Sequence, residues 1–126
     1  MATSILKQKA DKLAHKGYDL THKFPKEELY CLTSQIRRAL LSVPANIVEG
    51  YARNRTKVFL NHLETSYGSL SEVKYFMNFA CKRGYIAKEE YMDFYKDSEE
   101  VSKIIWSSIN TIYKKLNSAN RDDDQY

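Results

Sequence analysis

The sequence has no apolar run long enough to span a lipid bilayer. Its longest stretches without a charged residue, 39–48 and 104–113, fall short of the roughly 20 apolar residues that a transmembrane helix needs. Near the N-terminus, Lys7, Lys9 and Asp11 interrupt the apolar residues, so the apolar region of a signal peptide is also missing. We therefore expect a cytoplasmic protein without a membrane partner.

The motifs of several enzyme and metal-site classes are missing too. A di-iron site in a helical bundle needs paired Glu-x-x-His segments, and the sequence contains none. His62 and Glu64 lie two residues apart on a predicted helix and point in different directions, which gives no support to a zinc site. There is no glycine-rich phosphate loop, no Gly-x-Ser-x-Gly elbow and no Cys-x-x-Cys pair. We expect no enzymatic activity, no metal and no other cofactor.

Apolar residues at helical spacing are what the sequence does contain. They recur over about 5–23, 26–52, 56–82 and 88–116, and no alternating run of β-branched residues predicts a sheet. Four helices with short links predict one all-α domain over 1–117, an antiparallel up-down-up-down four-helix bundle. Residues 118–126 are polar, end in an acidic run and are predicted to be disordered.

Particular residues set the predicted helix ends and contacts. Thr56 is expected to cap the third helix, and Gly84 suits the left-handed position after it. Ala87 lacks a side-chain oxygen to cap the fourth helix. Gly68, in the middle of the third helix, favours close approach of a neighbouring helix. The two cysteines each fall within a helical pattern and are expected to be reduced and at least partly packed: Cys31 and Cys81.

A proline interrupts the second predicted helix. Pro44 has no N–H for the carbonyl oxygen of Leu40, and its ring crowds that oxygen, so we predict a bend. The apolar stripe continues on both sides of the proline, through Leu29, Leu32, Ile36, Leu40, Val43 and Ile47. One face of a bent helix is therefore expected to be buried.

Polar side chains flank the apolar stripes of the two central helices. They are Ser42, Asn46, Glu49 and Arg53 on the second helix, and Thr65, Ser69 and Glu72 on the third. Three interpretations remain open. Glu49 and Glu72 could form an acid–base pair, or the stripes could be helix surface, with Glu49 and Arg53 paired one turn apart. The third is that the stripes meet across helices or between subunits.

The residues around the proline also resemble a known family. The stretch 42–51, Ser-Val-Pro-Ala-Asn-Ile-Val-Glu-Gly-Tyr, resembles the S-[IV]-P-x-N-I-x-E-G-[YF] signature of the four-helix-bundle proteins encoded in 23S rRNA intervening sequences. Residues 59–60, 66–73 and 84–86 resemble the next motifs of that family in order. The resemblance spans nearly the whole chain. It implies the same fold in a small bacterial protein that assembles as a ring, a pentamer, with no established catalytic activity.

Positive charge favours an acidic partner. The net charge is +4, and without the three aspartates 122–124 among the 16 acidic residues, the excess of the 20 basic residues rises to seven. Such an excess favours RNA or DNA through counterion release. The candidate contacts are the cluster Arg53, Arg55 and Lys57, together with Arg37 and Arg38, for which a solvated helix face is an equal explanation. Tyr51 either stacks on a base or is a half-buried helix residue.

Two functions remain open at this point. The first is a non-enzymatic homo-oligomer that binds structured RNA, as the rRNA context of the resembling family suggests. The resemblance implies that this oligomer is a pentameric ring. The second is a protein-interaction scaffold, because related bundles are accessory proteins of diversity-generating retroelements and dock on a reverse transcriptase. Ile104, Trp106 and Ile109 widen the apolar arc of the fourth helix, which predicts self-association in either case.

Overall fold

The computed structural model describes the backbone of residues 2–53 and 55–124, and the side chains of residues 5–53 and 55–119. It contains four α-helices, α1 (Ala2–Thr21), α2 (Leu32–Arg53), α3 (Thr56–Lys82) and α4 (Lys88–Asp124), and a short 3₁₀ turn, Lys26–Glu28, before α2. Over these residues the chain forms no β-strand. None of its helices there combines the length and apolar content needed to cross a lipid bilayer.

The helices pack in the order of the sequence, and α4 closes the bundle against α1. Thr21 contacts Arg37 near one end of the α1–α2 pair, whereas Lys7 contacts Tyr51 near the other, so these helices are antiparallel. The predicted all-α, up-down-up-down four-helix bundle is therefore confirmed. The predicted apolar stripes supply the core, which includes Ile36, Leu40, Val43 and Ile47 of α2 and Leu63, Leu70, Val73 and Met77 of α3.

Lysines on one side of α1, and in the turn after it, pair with acids of α4. The pairs are Lys9 with Glu100, Lys16 with Asp93 and Asp97, and Lys23 with Glu90. The lysines are seven residues apart, two helical turns, so they share one side of the helix. Each pair is partly exposed and contributes little stability alone. Together they neutralise the positive charge of this side of the bundle.

The second helix begins later than predicted. Two i→i+3 backbone hydrogen bonds, of 3.0 and 3.1 Å, tighten the chain into the 3₁₀ turn, and α2 begins only at Leu32. Leu29 lies in the turn and is 43% exposed, so the apolar stripe does not include it. Cys31 is exposed instead of packed for the same reason, whereas Cys81 is half-buried. Beyond this start, α2 continues through Pro44, and the bend there stays a prediction.

The C-terminal end of α3 is as predicted, whereas its N-terminal end differs from the prediction by one residue. The N-cap is Arg55, which makes no capping side-chain hydrogen bond, and Thr56 is the first helical residue. The prediction of a Thr56 cap is wrong because the extended backbone reaches only to Arg55. At the other end Gly84 has φ +80°, and its N–H and that of Tyr85 bond to carbonyl oxygens of the last turn, both at 2.9 Å. This is a Schellman C-cap.

The fourth helix is longer than predicted and is capped by an acid. The carboxylate of Glu90 accepts a 2.9 Å hydrogen bond from the N–H of Ala87, which is half of a capping box and compensates for the missing oxygen of Ala87. α4 then continues to Asp124, eight residues past the predicted end at 116. No proline or glycine interrupts residues 117–124, so nothing in the local sequence stops the helix. The predicted disordered tail is therefore helical to Asp124, and its last two residues lie outside the described part.

Close approach of two helices occurs at Gly17 and not at Gly68. A Cβ atom on Gly17 would lie 2.6 Å from Cδ2 of Leu40, so α1 and α2 are in contact there. A Cβ atom on Gly68 would meet nothing within 4 Å, because this residue is on the exposed side of α3. The prediction for Gly68 is wrong for contacts within the chain, since helical spacing alone did not show which face of α3 points outward.

Candidate functional site

The two polar stripes meet at one point between α2 and α3. The hydroxyl oxygens of Ser42 and Ser69 are 2.8 Å apart, which joins the two helices directly. Asn46 donates from Nδ2 to the backbone oxygen of Ser42 at 2.8 Å and to its hydroxyl at 3.0 Å. Both serines and Asn46 are half-buried. The interpretation that the stripes meet across helices therefore holds for these three residues.

His62 completes this network, a role that was not predicted from the sequence. Its Nδ1 lies 2.9 Å from Oδ1 of Asn46. Because Nδ2 of Asn46 donates to a carbonyl oxygen, Oδ1 is the acceptor, and Nδ1 of His62 must carry the proton. His62 was considered only as a metal ligand. Its position on α3 seven residues before Ser69, two turns along the same side, was the available signal.

The remaining members of the stripes do not join across helices. Glu49 pairs with Arg53 at 2.8 Å, as the surface interpretation predicted, and the hydroxyl of Thr65 donates back to the backbone oxygen of Asn61. The Arg53 guanidinium, followed by the charge of His62, holds the pKa of the Glu49 carboxyl below its usual value. Nothing in this arrangement couples Glu49 to Glu72, so it does not provide an acid–base pair.

A polar groove of about 520 Å³ lies beside the serine pair. Its lining includes Ser34, Gln35, Arg38, Ser42, Ser69 and Glu72. Arg38 comes from α2 and Glu72 from α3, and both are exposed. Arg38 is thus in the groove, away from the other basic residues that the sequence grouped with it.

Arg37 is half-buried between α1 and α2. Its Nε donates a 2.9 Å hydrogen bond to the hydroxyl of Thr21, and its guanidinium carbon lies 4.9 Å from the centre of the Tyr18 ring. Thr21 is buried. Arg37 therefore helps to pack α1 against α2, and its role as a nucleic-acid contact stays a prediction.

Basic side chains gather at the end of the bundle where α2 is linked to α3. Arg55 of that link and Lys115 of α4 line one cavity, of about 230 Å³. Lys7 of α1 lies close by, with its Nζ 5.4 Å from the centre of the Tyr51 ring, and Tyr51 lines the same cavity. We call this surface the basic end and define it as Lys7, Arg53, Arg55, Lys57, Lys114 and Lys115.

Only half of the basic end was predicted from the sequence. A cluster was predicted from Arg53, Arg55 and Lys57, which are close together in the sequence. The other three residues, Lys7, Lys114 and Lys115, are far from them in the sequence. In an up-down-up-down bundle, however, the start of the first helix and the end of the fourth lie at the end that carries the link between the second and third. The predicted topology was therefore the signal that could have found these lysines.

Comparisons with known proteins identify the family. The family model of the 23S rRNA-intervening sequence proteins matches residues 3–107, most of the chain. The chain belongs to this family. It is also similar to the crystal structure of a protein of unknown function from the S23 ribosomal protein family of Bacteroides thetaiotaomicron, with a TM-score of 0.80 and 26% identity, over 87% of this chain and 99% of that one. No match was found among curated proteins. The resemblance seen at residues 42–51 is thus confirmed.

In this 23S rRNA-intervening sequence protein, Tyr51 packs within the bundle. Its ring centre lies 4.5 Å from that of Phe59, at an angle of 42°, and Lys7 covers it as a cation over the ring. Tyr51 is half-buried. Of the two interpretations, the half-buried helix residue describes the structure, and one face of the ring is already in use.

This family member leaves apolar side chains exposed on both α2 and α4, where Met92 is 57% exposed. On α4, Ile109 is buried and Ile104 is half-buried, and Trp106, 52% exposed, packs its ring against Tyr67. On the outer side of α2, Leu41 and Val48 are 53% and 51% exposed, with the exposed Ala45 and Ala52 in line with them. We call these four residues the α2 outer stripe.

The side chains of this protein do not form a metal site in the described part. Among residues 5–53 and 55–119, no group of three or more histidine, cysteine or acidic side chains could hold a metal ion. The polar network between α2 and α3 contains hydroxyls, an amide and an imidazole, without a carboxylate to orient a nucleophile and its base.

Proposed function

We propose that this member of the 23S rRNA-intervening sequence protein family is a non-enzymatic homo-oligomer that binds structured RNA through its basic end. The observation that carries the proposal is the shared cavity of Arg55 and Lys115, with Lys7 beside it. Three segments distant in the sequence bring their cations to one surface. A surface of this kind favours a polyanion, because neutralised phosphates release their counterions.

The distribution of ion pairs supports the same conclusion. Lys9, Lys16 and Lys23 pair with acids of α4, and Lys74 pairs with Glu99 of the same helix. At the basic end Arg53 has a partner, Glu49, whereas no ion pair is formed by Arg55, Lys57, Lys114 or Lys115 among the described side chains. This end of the bundle therefore carries several cations that no acid neutralises among the described side chains.

Assembly would strengthen such binding. Each subunit offers a few phosphate contacts, and a ring repeats them once per subunit, so weak contacts add through effective concentration. The α2 outer stripe supports self-association, because an exposed apolar patch with polar surroundings is typical of protein–protein contacts. We propose a pentamer as the specific oligomer, on the basis of the resemblance to the family.

The test is RNA binding at two salt concentrations. We expect Arg53→Gln, Arg55→Gln and Lys57→Gln together to lower affinity for a structured RNA and to make its salt dependence shallower. The matched control removes three charges from the outer side of α4, with Lys88→Gln, Lys96→Gln and Lys103→Gln. If the two triple variants lose affinity equally, the basic end is not the site.

A protein-interaction scaffold is the second candidate, and the α2 outer stripe is the observation that favours it. In that case the apolar side chains Leu41 and Val48 contact another protein, for which a reverse transcriptase of a diversity-generating retroelement is one candidate. Absence of salt-dependent binding of the wild-type protein to structured RNA or DNA at micromolar concentration would contradict the RNA proposal and favour this one.

A further inference from the structure

We infer that the polar groove between α2 and α3 binds a small zwitterion, a molecule with one carboxylate and one ammonium group such as a free amino acid. The inference is independent of the RNA proposal. It rests on three features of the groove, which are an unused hydroxyl proton, a cation on one wall and an anion on the other. The groove volume of about 520 Å³ admits a molecule of this size.

The unused proton follows from the hydrogen bonds of the serine pair. Ser42 and Ser69 share one hydrogen bond, 2.8 Å long, which uses one of their two hydroxyl protons. Asn46 donates to Ser42 and therefore accepts neither proton. Among the described residues, no other acceptor bonds to either hydroxyl. One O–H group thus remains to be donated in the groove that both serines line, where a carboxylate oxygen would accept it.

The two charges line the same groove as this hydroxyl. Arg38 precedes Ser42 by one helical turn, and Glu72 follows Ser69 by about one turn. Because α2 and α3 are antiparallel, these steps lead in the same direction along the groove. Neither side chain forms an ion pair within the described part of the chain. A guanidinium offers paired donors for a carboxylate, and the Glu72 carboxylate is an acceptor for an ammonium group.

The charge pattern favours a zwitterion over a phosphate or a nucleic acid. Glu72 would repel a dianion, and its repulsion would act against each successive phosphate of a strand. Arg38 also lies 15 residues before Arg53 on the same helix, roughly 22 Å along its axis, so a strand on the basic end need not reach it. Since Arg38 and Glu72 are exposed, we expect millimolar affinity that weakens with salt.

The test uses free L-amino acids as probes, with backbone amide shifts of the full chain measured by NMR. We expect shifts at residues of the groove, and we expect the affinity for the best amino acid to fall by about tenfold in Arg38→Gln and in Glu72→Gln. Lys96→Gln, at an exposed position of α4, is the matched control and should bind as the wild type does. The N-acetyl and amide derivatives of the same amino acid each lack one charge and should bind more weakly.

The derivatives also separate the roles of the two walls. The N-acetyl derivative has no ammonium group, so Glu72→Gln should not weaken its binding, and the amide has no carboxylate, so Arg38→Gln should not weaken its binding. If Arg38 and Glu72 instead pair with each other, or a second copy covers the groove, no amino acid shifts the groove resonances at millimolar concentration. That result, or binding of inorganic phosphate in place of amino acids, would overturn the inference.

Discussion

Ser66 donates a 2.9 Å hydrogen bond to the backbone carbonyl oxygen of Val43, the residue directly before Pro44. Ser66 is completely buried and belongs to the apolar stripe of α3. Pro44 has no N–H, so α2 has one backbone hydrogen bond fewer at this turn. The serine hydroxyl therefore links α3 to α2 where α2 is weakest in its own hydrogen bonding.

We expect Ser66→Ala to lower the free energy of unfolding by about 1 kcal/mol, the net contribution of a typical buried hydrogen bond. Ser71→Ala is the matched control, since Ser71 bonds only within its own helix, to the backbone oxygen of Tyr67. Both changes bring the same gain in helix propensity, so the difference between them reports the link across helices. Urea unfolding measures both. Equal midpoints for the two variants would show that the link contributes nothing.

Two glycines in helices should respond to alanine with opposite signs. Gly68→Ala should raise the free energy of unfolding by up to about 1 kcal/mol, because the new methyl group meets open space and the helix gains propensity. Gly17→Ala places a Cβ atom against the buried Leu40, and overpacking of this kind costs roughly 1–3 kcal/mol. Urea unfolding again gives both values. A stabilising effect of Gly17→Ala would mean that α1 and α2 separate readily at this point.

These glycines illustrate what could be predicted from the sequence. Periodicity identifies the buried face of a helix, and so α3 and the core residues Leu63, Leu70 and Val73 were predicted correctly. Periodicity carries no information on the distance to a neighbouring helix. The same spacing therefore fits Gly17, which touches Leu40, and Gly68, which touches nothing.

The residues of the candidate site could be predicted from the sequence to a similar extent, but their pairing across helices could not. The polar stripes were found from helical spacing, and Ser42 with Ser69 proved to be the point where they meet. Which residues pair depends on the registry of α2 against α3 to within one residue, and this is set by packing of the whole core. Glu49 formed its local pair with Arg53 because one helical turn already brings them together without any tertiary contact.

The acid that caps α4 should make stability depend on pH. Hydrogen bonding to Lys23, and next to the N–H of Ala87, holds the pKa of the Glu90 carboxyl below its usual value of 4.5. Its contribution to stability is therefore complete above the usual pKa and is lost as the pH falls through the lower folded value. We expect Glu90→Gln to be less stable than the wild type near pH 7, with a gap that closes at an acidic pH below the folded pKa of Glu90. Glu89→Gln, the neighbouring exposed acid, is the control for urea unfolding at both pH values, and a gap independent of pH would contradict the assignment.

The α2 outer stripe should decide the oligomeric state. Leu41 and Val48 are half-exposed, so replacing both with glutamine should leave the fold intact while removing apolar area that contributes about 1–2 kcal/mol per side chain when an interface buries it. We expect the wild-type protein to sediment as a species larger than its 14.7 kDa monomer at micromolar concentration, and the double variant to dissociate at least tenfold more readily. Tyr75→Gln with Phe79→Gln makes the same change on the outer face of α3 and should leave assembly unchanged. If the α3 pair dissociates the protein and the α2 pair does not, the interface lies on α3, near the open surface of Gly68, and a monomeric wild type would remove self-association altogether.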